Sequence, residues 1–182
     1  MGQGSAPFGY CRACGAPLVE KLIEDRLRAV CAACGRIHWR NAKPCAGALI
    51  IRNGKVLLVR RAVPPFQGHW DIPGGFCEAE EHPAETAIRE VREETGLEVE
   101  LTGLLGIWMD RYGEEETLNI FYLARPLNRE LRVGDDASGA AWFSPRALPS
   151  RIAFASGIQA LRAWAADDPT PLHLRGVGQT GP

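Results

Sequence analysis

Glu90, Glu93 and Glu94 stand within five consecutive residues and are the side chains best placed to do chemistry in this chain. At about 100° per residue they share one face of a helix. Glu93 and Glu94 fall in its last turn, just before Gly96, where the negative end of the helix dipole disfavours carboxylates. Glu90 and Glu94 also repel each other at i, i+4. Arg89 and Arg92 relieve part of this repulsion, and a divalent cation would relieve more, because hard cations take oxygen ligands. A Glu-rich helix face is ordinarily a solvated surface. Here the pattern extends well beyond the helix.

A second cluster is made of thiols. Cys11-Arg12-Ala13-Cys14-Gly15 and Cys31-Ala32-Ala33-Cys34-Gly35 are matched Cys-x-x-Cys pairs with sixteen residues between them. Glycine after the second cysteine permits the tight turn that aims both thiolates at one metal. Four thiolates close a tetrahedral structural site for Zn2+. His38 lies near this unit but is surplus to a complete set of four, so a surface or packing role is expected of it. Cys45 and Cys77 are expected to be small buried hydrophobes.

These groups must be held by ordered elements. Ala46, Ile51 and the residues between them form one apolar run, Val56 to Val59 a second, and Asn53-Gly54 between them is a hairpin signal. Trp70-Asp71-Ile72-Pro73-Gly74-Gly75 follows, its paired glycines marking tight backbone geometry or a close approach. From Pro83 to Thr95 the pattern turns helical, with Ala84, Ala87, Ile88 and Val91 on one face, proline in the first turn and Gly96 past the last. Strand-like runs follow over 97–101, 104–108, 118–124 and 140–143. A final amphipathic helix is expected over 152–165, with Ile158, Leu161 and Trp164 on one side. Helices among mixed strands point to an α/β or α+β sandwich.

The larger pattern reads Gly75-x5-Glu81-x7-Arg89-Glu90-Val91-x-Glu93-Glu94-x-Gly96-Leu97. It resembles the box of the Nudix hydrolases with every fixed position filled. Val56-Leu57-Leu58-Val59-Arg60-Arg61, Gly68-His69-Trp70-Asp71-Ile72-Pro73 and Trp142-Phe143 extend the resemblance from Cys45 to Leu148. It implies an α/β/α sandwich around a mixed sheet, and hydrolysis of a nucleoside diphosphate linked to another group. It also implies that Glu90, Glu93 and Glu94 hold Mg2+ or Mn2+, with Gly75 shaping the site and Glu81 and Arg89 forming a supporting ion pair. Glu90 or Glu93 is the candidate general base. Two positions depart from the family pattern. Glu80 stands where many members have glycine. Ser138-Gly139-Ala140-Ala141 lacks the acid that many members carry before the Trp-Phe pair, which leaves Asp135 or Asp136 as possible substitutes.

The ribbon ahead of this domain resembles the branch containing NADH pyrophosphatases and relatives acting on ADP-ribose or FAD. The NADH type carries a Ser-Gln-Pro-Trp-Pro-Phe stretch, and 104–112 reads Leu-Leu-Gly-Ile-Trp-Met-Asp-Arg-Tyr instead. ADP-ribose is therefore the first substrate expected, ahead of NADH and FAD, with release of a nucleoside monophosphate. The expected organisation is a flexible N-terminus over 1–10, a zinc ribbon over 11–40, a Nudix domain over 41–168 and a flexible tail over 169–182.

A net charge of -1 over 182 residues, with 46% apolar and 24% charged content, gives no general attraction to nucleic acid or anionic membrane. Met1 to Ala6 lacks the basic and apolar regions of a secretory leader, so a cytoplasmic protein is expected. Over 11–43, seven cations face three acids. That excess is modest, so a structural or homodimer-forming ribbon is expected, with a small nucleotide as substrate and no nucleic acid or membrane partner. The alternative from another class is a module that senses a nucleotide, its ribbon contacting nucleic acid or a partner. Three clustered glutamates weigh against a pure sensor. A third reading is an enzyme acting on capped or NAD-linked RNA. Phe66, Trp70, Trp108, Tyr112 and Tyr122 are the aromatic candidates for stacking a base.

Overall fold

The computed structural model describes residues 9–134 and 136–166. The expected loose N-terminus falls almost entirely, and the expected tail fully, outside the described residues. The chain divides between Asn41 and Ala42 into two compact units.

The first unit is a three-stranded antiparallel sheet of β1 (Leu18–Ile23), β2 (Arg26–Cys31) and β3 (Ile37–His38), in that order. Its core is small: Cys11, Leu18, Ala29 and Cys31. Two of these four are sulfur ligand candidates, so little apolar burial is left to stabilise the unit without a metal.

The second unit is built on a mixed sheet. Its strands are β4 (Lys43–Arg52), β5 (Lys55–Arg61), β8 (Val99–Tyr112), β9 (Glu115–Pro126) and β10 (Ala137–Phe143), in the order β10-β5-β4-β9-β8. β4 and β9 run parallel, and the other neighbours antiparallel. Two short strands complete it: β6 (Trp70–Asp71) on β5 and β7 (Gly74–Phe76) on β4. Asn53 and Gly54 both take positive φ, 51° and 70°, the backbone that a two-residue hairpin requires.

Alternation along the central strands sorts the side chains into two layers. Ala46, Ala48, Ile50 and Leu57 face α1 (Pro83–Thr95), meeting its Ala87 and Val91. Leu49, Val56 and Leu58 face α2 (Ala155–Ala165), meeting Ala160 and Leu161. The result is the α/β/α sandwich. α1 has the bounds its pattern predicts, whereas α2 begins three residues later than expected. In α2, Leu161 is buried and Trp164 packs on the same core, whereas Ile158 is half-exposed. The two runs expected over 97–101 and 104–108 are one strand, β8, with register shifts at Leu101/Gly103 and Leu104/Gly106. Such bulges break the period-2 pattern that a reader of the sequence follows. No helix among the described residues is long and apolar enough to cross a membrane.

The segment from Ile72 to Gly75 crosses β4 at Gly47, where a Cβ would lie 2.5 Å from the Pro73 carbonyl oxygen and 3.1 Å from Gly74 Cα. Both neighbours are backbone, so neither can rotate away. Gly47→Ala is expected to cost about 1–3 kcal/mol through overpacking, read as a lower urea midpoint with the slope unchanged. An unchanged midpoint would show that this crossing has slack.

Candidate functional site

Helix α1 is fixed at both ends. His82 caps its N-terminus, its ring nitrogen accepting from Ala84 N at 3.1 Å, while Glu85 reaches back to His82 N at 2.9 Å. Gly96 closes the C-terminus with φ 68° and donates to the Arg92 carbonyl. Before the helix, Glu80 adopts φ 69°, so the position at which many Nudix members carry glycine keeps a left-handed backbone without it.

Arg89 organises the polar face. Its Nε and Nη2 donate to the two oxygens of Glu81 at 2.8 and 2.9 Å. Its Nη1 donates to Glu90 at 2.8 Å and to Glu93 at 3.1 Å, and Nη2 also reaches the Phe76 carbonyl at 3.2 Å. Glu81 further accepts from the Thr86 hydroxyl at 2.7 Å and from Glu78 N. Hydrogen bonds from Arg89, then from Thr86, hold the Glu81 carboxyl down at about 2. Glu81 thus points at Arg89 rather than into a cavity.

A cavity of about 340 Å³ opens beside α1. Glu90, Glu94, Gly74 and Gly75 line one side of it, and Phe76, Tyr112 and Phe154 line another. The Gly75 position is filled by its neighbour: a Cβ there would fall onto the Glu90 carboxyl, 2.5 Å from its Cδ. Glu94 receives a backbone N–H from Gly74, yet its Oε2 is buried with no hydrogen-bond partner. Burial, then the charges of Asp71 and Glu90, pushes Glu94 up to about 8. Burial also raises Glu90, against the pull of Arg89. Glu93 is elsewhere: its side chain is 54% exposed, rests on Arg89 and does not line the cavity. The structure therefore brings Glu90, Glu94 and Gly75 together and leaves Glu93 at the rim.

Further residues reach the cavity that the sequence pattern did not single out. Arg61 Nη1 pairs with buried Asp71 at 3.3 Å, and its Nε donates to the Pro65 carbonyl. The Arg61 guanidinium also lies 5.1 Å from the Phe154 ring centroid. Burial lifts Asp71 to about 7 in spite of Arg61. Ser156, which lines the cavity at the start of α2, donates its N–H to Asp110 at 2.6 Å. Thr117 and Asn119, joined at 3.0 Å, lie on β9. Of the aromatic candidates, Tyr112 lines the cavity and Phe66 packs on Phe154 at 5.2 Å. Trp70 and Trp108 belong to the α2 core, and Tyr122 packs on the α1 core. Asp136 lines the cavity, whereas Asp135 lies outside the described residues. Cys45 and Cys77 are half-buried rather than buried. Burial pushes the Cys45 thiol up to about 12, which suits an inert group.

In the first unit the four cysteine sulfurs lie within 4.8 Å of one another. Gly15 and Gly35 take φ 72° and 71°. Backbone N–H groups of Ala13 and Cys34 point at the sulfurs of Cys11 and Cys31 at 3.4 and 3.3 Å. Those N–H groups lower both thiols, Cys31 to about 6, toward the thiolates that bind metal, whereas side-chain contacts with Cys31 and Cys34 push Cys14 up to about 12. His38 Nε2 contacts Cys11 Sγ at 3.3 Å, so it supports the cluster rather than standing apart from it.

A carboxyl held near 2 in the folded chain, against an ordinary 4.5, stabilises the fold above its unfolded value and loses that contribution as pH falls toward 2. Glu81→Gln is expected to be less stable than the unmodified chain at pH 7. The gap should narrow as pH falls from about 5 toward 2 in urea midpoints. A gap independent of pH would remove Glu81 from the ionised pair.

The profile of the NUDIX domain matches residues 42–165, and that of the Nudix N-terminal region, a zinc ribbon, matches 9–40. Over 108 residues, 58% of this chain, it is 37% identical to an ADP-ribose pyrophosphatase of Methanocaldococcus jannaschii, whose length it covers to 63%. Over 143 residues, 77% of this chain, it is 32% identical to the NAD-capped RNA hydrolase NudC of Pseudomonas aeruginosa, covering 49% of that protein. A crystal structure of a NUDIX hydrolase from Nitrosomonas europaea superposes with a TM-score of 0.78 at 26% identity, over 87% of this chain and 91% of the other.

Proposed function

The chain belongs to the Nudix hydrolase family, and from that premise we propose that it cleaves the phosphoanhydride bond of a nucleoside diphosphate-linked substrate and releases a nucleoside monophosphate. ADP-ribose is the preferred substrate in this reading, with NADH and FAD as the next to test. The similarity to the Methanocaldococcus jannaschii protein named ADP-ribose pyrophosphatase supports that order.

One observation carries the reading: the partnerless, buried Oε2 of Glu94, beside Glu90 and against Gly74 and Gly75. A buried carboxylate oxygen without a donor is costly unless a cation meets it. The donor set is all oxygen, which suits Mg2+ or Mn2+. Glu90 and Glu94 would hold the ion, with Gly75 at its edge, and Glu93 would join by leaving its single contact with Arg89. Bound there, the ion would neutralise the pyrophosphate and lower the pKa of a water.

The remaining chemistry falls to the chain itself. Glu90 is held through one oxygen by Arg89, which leaves its other oxygen either for the ion or, with the ion carried by Glu94 and Glu93, for the proton of the attacking water. Glu93 is the alternative base, and Asp136 is within the cavity should neither serve. Arg89 and Glu81 are positioning residues: they set the Glu90 carboxyl and do not reach the reacting atoms. The aromatic side formed by Phe76, Tyr112 and Phe154 can take the base or ribose end of the substrate. Zn2+ on Cys11, Cys14, Cys31 and Cys34 would be structural, since four ligands leave no open position. Thiols gathered for a metal suit a reducing compartment, so the cytoplasm is the proposed location. Assembly as a homodimer belongs to the same reading, supported by exposed Leu104, Ile107 and Met109 on edge strand β8.

Glu94→Gln preserves shape and removes one charge. Turnover of ADP-ribose with Mg2+ or Mn2+ is expected to fall roughly 100-fold or more, as for groups that stabilise transition-state charge, with the unfolding midpoint unchanged or raised. Near-normal turnover in this variant would remove the metal role from α1. If the unmodified chain turned over none of ADP-ribose, NADH and FAD, the substrate reading would fail.

A further inference from the structure

The ribbon's cations are few when counted along the sequence, but the sheet sorts them. Cross-strand partners lie on the same side of a sheet, and so do residues two apart on one strand. The register pairs Lys21 with Arg28 and Ile23 with Arg26, which puts Lys21, Arg26 and Arg28 on one face. Val30 pairs with Ile37 on that face, and Trp39, two residues beyond Ile37, comes up beside Arg28: the guanidinium carbon is 4.7 Å from the Trp39 ring centroid. Glu20 pairs with Ala29 and points the other way, while Glu24 and Asp25 are confined to the hairpin turn. The face is therefore basic and free of acids along its strands.

Three features distinguish this face from ordinary surface charge. Among the described residues no ion pair is recorded for Lys21, Arg26, Arg28 and Arg36, and the strands of this face offer them no acid to pair with. Trp39 is 52% exposed although it is the largest apolar side chain of the unit. Arg28 Nε is buried without an acceptor, so the aromatic contact is what holds this guanidinium at the face. Part of the charge balances the thiolate cluster. Four thiolates with one divalent cation carry a net charge of about -2, and Arg12 and Arg36, which share a cleft with His38 and Trp39, offset it. That balance does not reach Lys21, Arg26 and Arg28, which stand along the strands rather than at the knuckles.

We propose that this face of the ribbon binds a single-stranded polynucleotide, with a base stacked on Trp39 and the phosphates following Arg28, Lys21 and Arg26. A phosphate backbone uses unpaired cations in a row, and an exposed aromatic ring gives any base a platform without reading its sequence. A duplex offers the phosphates but not the base faces, and an acidic peptide has no group that needs the ring. This face belongs to the first unit and the proposed catalytic cavity is lined by the second, so the proposal stands whether or not that cavity hydrolyses a dinucleotide.

The test is fluorescence anisotropy of a labelled single-stranded RNA of about 12 nucleotides, within the site sizes typical of such platforms, with the full chain over a range of KCl. The unmodified chain should bind, weaken as salt rises with a slope reflecting about 0.7 ions per phosphate contacted, and prefer the single strand to a duplex of the same sequence. Trp39→Ala should weaken binding roughly 10-fold, and Trp39→Phe should restore much of it. Lys21→Glu combined with Arg26→Glu, both at exposed positions, should weaken binding and flatten the salt slope. Arg146→Glu, an exposed charge change in the second unit, should leave binding unaltered. Zinc content, measured for each variant, confirms that the ribbon is intact. Absence of binding by the unmodified chain, equal binding of duplex and single strand, or unaltered binding in the Lys21/Arg26 variant would each overturn the proposal. The comparison of duplex with single strand needs no variant, so a misfolded mutant cannot hide the answer.

Discussion

One guanidinium sits at the centre of the structure's polar face. Arg89 meets carboxylates of Glu81, Glu90 and Glu93 and the carbonyl of Phe76, and so ties three segments together: the turn before α1, α1 itself and β7. Three glutamates within the last two turns of a helix oppose both its dipole and one another. Arg89 makes that arrangement tolerable by neutralising two of them from within the same helix. It also takes its own orientation from a bidentate pair with Glu81, which fixes a planar fork more firmly than a single contact does. Glu90 is thereby aimed at the cavity with one oxygen spoken for. Glu94, beyond the reach of Arg89, is left with a partnerless oxygen. The asymmetry between these two glutamates is a direct consequence of where one cation stands.

The backbone makes room for this arrangement by omitting side chains. Gly47, Gly74 and Gly75 bring the Ile72–Gly75 crossing against β4 and then against the Glu90 carboxyl. A Cβ at Gly47 or Gly74 would strike the backbone of the neighbouring segment, and one at Gly75 would displace the Glu90 carboxyl. The apolar layers on the two sides of β4 and β5 hold α1 and α2 in register with the crossing. The carboxylates accordingly occupy a rigid element rather than a loop. That is the arrangement expected where charge must be held at fixed distance from a substrate.

Much of this was legible in the sequence where local rules decide. Pro83, the apolar stripe and Gly96 mark α1 residue by residue, and Asn53-Gly54 marks its hairpin. The paired cysteines with following glycines mark the ribbon's knuckles. The His82 cap was not legible, because histidine is an uncommon N-cap. β8 read as two strands because its bulges interrupt the alternation at Gly103 and Gly106. Glu93 shares a helix face with Glu90 and Glu94 on a wheel, but a wheel does not show that Arg89 draws it to the rim. Arg61, Asp71 and Phe154 come from distant parts of the chain and meet only through the fold. The basic face of the ribbon escaped for a related reason: counting charges along a chain discards the strand register that sorts them.

The central claim is that Glu90 and Glu94, set by Arg89 against Gly75, hold the divalent cation of a Nudix hydrolase. Crystals of the full chain soaked with MnCl2 and ADP-ribose, measured at the manganese absorption edge, test it directly. The account predicts an anomalous peak with carboxylate oxygens of Glu90 and Glu94 at about 2.0–2.6 Å, and Arg89 still paired with Glu81. Manganese bound elsewhere in the second unit, with Glu94 Oε2 still lacking a partner, would contradict it.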